Sequence, residues 1–351
     1  MDVTTVAVDL AKEVFQVALA NRAGRVIDRR RLTRRQFERL IDDLPITTEV
    51  VMESCGTAHY WGRRATARGL QVRLLPVQYV RPYVRRSKTD RADSEALLEA
   101  ARCGEIRPVP VKTVEQQTLQ ALHRIRTQWQ TTRVARINGV RGLLREHGYE
   151  MARGARTIVK RATTLLDAAD TTIPAVLRHV LTAVLDEIRE LEAKIAGIDR
   201  QLADIATTDP VASRLRTIPG VGVLTATALV GSVGHIHAFH RGREFASWLG
   251  LTPRESSTGG RRYLGRISKK GDVHLRCLLV HGARAVLRCA FLAAARRGPD
   301  QVTRLQQWAI ATAQRRGRAK ATVALANKLA RIVWAVWRRQ ETFHAAPALA
   351  A

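Results

Sequence analysis

The apolar residues of this chain change their spacing once, and that change divides it. Up to about residue 112 they fall in short runs with strand character: TTVAVDL, VFQVALA and RVIDRRRL, joined by short connections that include the hairpin-like turn Asn21-Arg22-Ala23-Gly24. An amphipathic helix is expected at Arg34 to Asp43, then a strand ending at Glu53. A helix from Thr57 to Arg68, stopped by Gly69, leads into the strand Leu70 to Leu75. From Thr113 onward strand signals stop and helical periodicity takes over. Such a chain folds as an α/β unit followed by helices.

Four acids stand out within that frame. Asp9 closes the run Thr4-Thr5-Val6-Ala7-Val8, and Glu53 closes Glu49-Val50-Val51-Met52, so each sits at the carboxyl end of a buried strand. Such ends open onto a crevice in α/β sheets. Asp90 and Asp93 begin the helical pattern DRADSEALLEAARCG, and a spacing of three puts them on one helix face. Hard oxygen donors of this kind suit Mg²⁺ or Mn²⁺, which can activate an attacking oxygen and stabilise a leaving one at phosphorus. Taken singly, helix-start acids also serve the helix dipole alone.

The charge balance names a partner class. Lys and Arg number 59 against 31 Asp and Glu, a net charge of +28, while 46% of the residues are hydrophobic. A strong positive field on a chain able to build cores points to nucleic acid. No stretch of about eighteen uncharged apolar residues suggests a membrane span, and the first residues lack signal-peptide character, so the expected compartment is the cytoplasm. Cys55, Cys103, Cys277 and Cys289 are scattered, which fits reduced thiols rather than a zinc or redox pair. His235, His237 and His240 lack companions at ligand spacing and receive no role.

In the helical part, Ile173, Leu177, Val180, Val184, Ile188, Leu191, Ile195, Ile198, Leu202 and Ile205 follow a near-heptad seam. It fits either a helical hairpin or an intermolecular coiled coil. Ile218-Pro219-Gly220-Val221-Gly222 reads as a helix-hairpin-helix turn: Gly220 and Gly222 either let the backbone approach a phosphate or make a tight helix connection. The segment LGLTPRESSTGGRRYLGRISKKGDVHLR gathers Ser256, Ser257, Thr258, Arg261, Arg262, Lys269 and Lys270 around glycines. Hydroxyls among cations serve either as a nucleophile on DNA phosphate or as a phosphate grip. The helices from Gly271 onward are basic, and Trp334 and Trp337 read as packing residues.

VAVDLAKEVF, VVMESCGTAHYW, RRSKTDRADSEALL, IPGVG and FASWLGLTPRESSTGGRRYLGRISKKGDVHLR, in that order, resemble the DEDD transposases of bacterial insertion sequences related to the Piv invertase, the bridge-RNA-guided recombinases. The resemblance spans residues 5 to about 290. It implies an α/β, ribonuclease-H-like (RuvC-like) catalytic domain at 1–112, a helical coiled-coil segment at 113–208, a mainly α transposase domain with a helix-hairpin-helix and a serine loop at 209–300, and basic helices at 301–351. It also implies Mg²⁺ or Mn²⁺ on Asp9, Glu53, Asp90 and Asp93, and a serine nucleophile at Ser257, with Ser256 the neighbouring alternative. Donor and target DNA, a structured bridge RNA and a dimer or tetramer of the chain are the implied partners. Arg85, Arg86 and Lys88, in the RRSK run, join Gly220, Gly222, Arg261, Arg262, Lys269 and Lys270 as expected nucleic-acid contacts. Two other readings of the residues are a RuvC-type junction nuclease using water and metal alone, and a transposase-derived protein that only binds nucleic acid.

Overall fold

β-Branched runs at the start of the chain pair into a sheet. The computed structural model describes residues 3–83, 90–151, 154–168, 172–298 and 301–346. Among these, β1 (Thr5–Asp9), β2 (Val14–Ala20), β3 (Val26–Thr33), β4 (Glu49–Glu53) and β5 (Gln71–Leu75) form a five-stranded sheet in the order β3-β2-β1-β4-β5. The first three strands are an antiparallel meander, while β4 lies parallel to β1 and β5 parallel to β4.

Alternation along the strands splits the apolar side chains between two layers. Val6, Val8, Val50 and Met52 face α1 (Arg34–Asp43) and α2 (Ala58–Ala67), where Phe15, Phe37 and Trp61 meet edge to face. α1 begins at a capping box in which Thr33 and Gln36 satisfy each other's backbone amides. On the opposite face Ala7, Ala18 and Val51 are small enough to seat α4 (Asp90–Arg102) through Ala96, Leu97 and Ala100. A short helix α3 (Val77–Val80) follows β5.

The chain divides into two compact units, Met1–Gln116 and Gln117–Ala351. In the second, α5 (Val114–Glu146) and α7 (Ala175–Thr208) run antiparallel, tied by Arg126–Asp199, Arg133–Glu192 and Arg136–Glu187 ion pairs. α6 (Ala155–Asp167) packs on α7. Of the expected seam, Ile173 and Ile188 are buried and Leu177 and Val184 pack on the same core, whereas Val180 stands exposed at 50% and its neighbours Leu181 and Leu185 are buried in its place.

The remaining helices build one core: α8 (Pro210–Leu215), α9 (Val223–Val233), α10 (Gly242–Trp248), α11 (Val273–Arg297), α12 (Arg304–Arg316) and α13 (Arg318–Arg339). By length and composition α11 could cross a membrane. Its Leu275, Leu279, Ala283 and Val286 are instead built into that core.

The expectation that strand signals end at Thr113 is overturned here. β6 (Pro253–Thr258) and β7 (Arg261–Ile267) form an antiparallel hairpin. Thr258 pairs with Arg261 across Gly259 and Gly260, whose φ of 55° and 76° suit the two-residue turn that matches strand twist. The charged and hydroxyl residues that hid the strand period are outward-facing on both sides, because the hairpin projects from the helices with every β6 residue exposed.

Candidate active site in two parts

Asp9 and Glu53 are the last residues of neighbouring parallel strands. Each lies two residues beyond Ala7 or Val51, so both point to the sheet face that α4 covers. The nearby Cys55 thiol registers both charges: burial first, then Glu53, then Asp9, push it up to about 11. The two carboxylates therefore share one neighbourhood.

The direction of α4 decides where its acids fall. Its last residue, Arg102, packs against Gly24 in the β2–β3 turn, which lies beside the start of β1. Glu95 meets Arg29, whose partner Ala18 pairs in turn with Ala7, midway along β1. α4 thus runs antiparallel to β1, and each residue toward its N-terminus advances about 1.5 Å toward the Asp9 end. Asp93, four residues before buried Leu97 and seven before Ala100, stands on the helix face turned to the sheet. Asp90 is the first residue of the same helix. Its side chain lies outside the described residues, as do Arg85, Arg86 and Lys88.

The set is oxygen-only, the donor chemistry of a hard divalent cation. Among the described residues, no group of three or more His, Cys, Asp or Glu is drawn together as a metal centre. The fit is one of donor type and placement.

Ser257 lies near the tip of the β6–β7 hairpin. Its hydroxyl donates to Glu255 Oε1 at 3.1 Å, and Arg262, the residue opposite Ser257 in the register, reaches Glu255 Oε2 at 2.9 Å. The guanidinium first, then the Ser257 hydroxyl, holds the Glu255 carboxyl below its usual range. Ser256 alternates to the other face, opposite Tyr263. Glu255 was not singled out from sequence; its signal was the two-residue spacing to Ser257 on an unrecognised strand.

The base of this hairpin is clamped. Gly250 and Gly271, at φ of 71° and 95°, cross the other arm so closely that a Cβ on either would collide with the carbonyl of Lys270 or Trp248. Ser268 and Lys269 donate backbone amides to Thr252 and Gly250, and buried Arg276 donates to the Leu249 carbonyl at 2.9 Å. Lys269 and Lys270 are exposed at this base, and Arg261 is exposed at the tip.

The Ile218–Gly222 turn joins α8 to α9. Gly220, at φ 83°, packs backbone to backbone on Gly282 of α11, so this glycine has a packing reason of its own. Gly222 precedes the first turn of α9, and a Cβ there would meet open space. His123 Nε2 lies 2.9 Å from Thr227 Oγ1 of α9; burial, then the charges of His274 and Arg126, lower its pKa to about 4.

Comparison with known proteins decides the family. A transposase model of the DEDD, IS110 type matches residues 6–148, the region of the acids, and a model described as "Transposase IS116/IS110/IS902 family" matches residues 212–297, which hold the hairpin. A protein of Pseudomonas aeruginosa named as a probable family 20 transposase is 41% identical over 98% of this chain and 99% of its own length. The chain belongs to the IS110 family of DEDD transposases. Within that family, the transposase for insertion sequence element IS1111A of Coxiella burnetii is 40% identical over 97% of this chain and 92% of its own. The transposase for IS1328 of Yersinia enterocolitica is 35% identical over 97% and 99%. The two family models between them cover the acids of the first unit and the hairpin of the second.

Proposed function

We propose that this transposase moves an insertion sequence by cutting and rejoining DNA at Ser257, with Asp9, Glu53, Asp90 and Asp93 as a divalent-metal set. The observation that carries the reading is the Ser257–Glu255–Arg262 arrangement on a projecting hairpin. The carboxylate is placed to take the hydroxyl proton as Oγ attacks phosphorus, and Arg262 beside it brings positive charge toward a phosphate. Attack forms a phosphoserine ester and releases a DNA hydroxyl. The reverse attack by a hydroxyl of the exchanged strand reseals the backbone and frees the serine, so the bond energy is conserved without ATP. Mg²⁺ or Mn²⁺ held by the four acids would polarise a phosphoryl oxygen.

The sheet order, an antiparallel meander followed by parallel strands with acids at the ends of the first and fourth, supports the ribonuclease-H-like reading of 1–112. The α8–α9 turn with open Gly222 supports a helix-hairpin-helix phosphate contact in 209–300. Exposed Val134, Leu143, Val176 and Val180 on the α5–α7 helices support pairing of copies through 113–208, and hence a dimer or tetramer in which acids and serine come from different protomers. The net charge of +28 supports DNA and a structured guide RNA as partners, with 301–351 and the exposed Arg261, Lys269 and Lys270 contributing.

The test is covalent trapping. Denaturing gels of the full chain with labelled element-end DNA should show a protein–DNA adduct that Ser257→Ala abolishes and Ser256→Ala retains. Cleavage persisting in Ser257→Ala while Asp9→Asn is inert would instead establish a water-and-metal nuclease.

A further inference from the structure

Among the described residues the hairpin that carries Ser257 leaves β7 with an unpaired edge, and residues of β7 and α13 together line a groove of about 1310 Å³. Five consecutive β7 residues, Tyr263 to Ile267, line one wall. The opposite wall is a face of α13 that the helical core does not cover, recurring at helical spacing through Lys320, Val323, Asn327 and Arg331.

Two properties of the groove specify its occupant. Arg266, Lys269, Lys320, Lys328 and Arg331 all line it, and no carboxylate does among the described residues. Lys328 Nζ sits 4.1 Å from the centre of the Trp308 ring, and burial, then Arg331 and Arg304, depress its pKa below the usual lysine range. Cations crowded together without an acid call for a polyanion. Between them runs an apolar floor of Leu251, Val323, Ile332 and Ala335. Duplex DNA offers a protein its phosphates and buries its base faces, so an apolar floor serves it little. An unpaired strand offers both phosphates and bare base faces.

The groove also ends in a telling place. Tyr263 is adjacent to Arg262, the residue paired with Ser257, a step of about 3.3 Å along the strand. We infer that the β7–α13 groove is the seat of an unpaired DNA strand, with phosphates on Arg266, Lys320, Lys328 and Arg331 and bases against the apolar floor, and that it feeds the next phosphodiester to Ser257. The feeding half rests on the nucleophile assigned above; the binding half does not.

Lys320 and Arg331 are exposed, so their reversal leaves the core intact. The full chain carrying Lys320→Glu and Arg331→Glu is titrated against fluorescein-labelled single-stranded DNA, duplex of the same sequence and RNA, over a range of salt. The expected result is a loss of at least about tenfold for single-stranded DNA, a salt slope shallower by about 1.4 for two lost contacts, and under about threefold change on duplex. A benzophenone side chain introduced at Ala324 should crosslink the labelled strand. Equal losses on duplex, a loss confined to RNA, or unchanged DNA binding with altered sedimentation, the sign of a second copy pairing on the β7 edge, would each overturn the inference. Ser257→Ala separates the two halves: it should bind single-stranded DNA normally and form no adduct. If wild type forms no adduct yet the groove variants still lose single-strand affinity, the nucleophile reading fails and the groove stands.

Discussion

The Ser257 hydroxyl donates to Glu255 Oε1 across 3.1 Å, both side chains standing on one face of β6. A general base placed this way contributes about 10²–10⁴ in rate. Glu255→Gln keeps a hydrogen-bond partner but removes the base, so adduct formation should slow by about 100-fold or more with DNA affinity within about twofold. Because Arg262 holds this carboxyl below its usual range, it stays ionised through mild acid, and its contribution should be lost only below the ordinary carboxylate value of about 4.3. Single-turnover adduct rates against pH check this; a loss centred above pH 5 would assign the proton to another group.

Asp9→Asn, Glu53→Gln and Asp93→Asn should each cut strand transfer to about 1% or less, and chelation of divalent cations should reproduce the effect. Nucleic-acid affinity should stay within about threefold, since lysines and arginines supply it. Strand-transfer and gel-shift assays run in parallel separate the two effects. Wild-type transfer by Asp93→Asn would remove that residue from the set.

Gly250→Ala and Gly259→Ala make a matched pair, both at positive φ. At Gly259 a methyl meets open space, so the cost is the left-handed backbone alone, about 1–2 kcal/mol. At Gly250 it strikes the Lys270 carbonyl and adds about 1–3 kcal/mol of overpacking. Thermal unfolding should show Gly250→Ala clearly the less stable. Equal midpoints would mean the hairpin base is not clamped.

His123 is held neutral, its pKa near 4 against about 6.5 unfolded. The unfolded chain therefore binds its proton first, and the stability contribution is fully present above about pH 6.5 and lost as pH falls toward 4. The loss is on the order of 2–3 kcal/mol. His59 in the first unit, lowered to about 4 by burial, then Lys112 and Arg63, follows the same sign. Denaturation of His123→Gln across pH 7 to 4 should show a flatter slope than wild type; an unchanged slope would exclude His123 as a source.

The sheet was legible because β1, β2 and β4 carry buried apolar runs and short turns separate them from their neighbours: the elements from β1 to β5 fall within a residue or two of where the apolar runs and Gly69 put them. The hairpin was not, because Arg254, Glu255, Ser256, Ser257 and Arg262 are exposed on both faces and no apolar alternation marks a strand that nothing covers. Only Gly259-Gly260 announced it. The start of the α7 seam misled for a related reason: Leu181 and Val180 are adjacent apolar residues, and only packing against α5 and α6 decides which row turns inward. Gly220 drew attention as a phosphate contact because the flexibility a ligand needs and the small size Gly282 demands are met by the same residue.

The crossing at Gly250 and Gly271 has an evolutionary corollary. The chain leaves and re-enters the helical core at nearly one point, so what lies between is a cassette: strands can lengthen, shorten or change sequence beyond the crossing without re-registering a helix. A family that must recognise many DNA ends would be expected to vary the other hairpin positions and hold Glu255, Ser257, Arg262, the two glycines and Arg276 fixed.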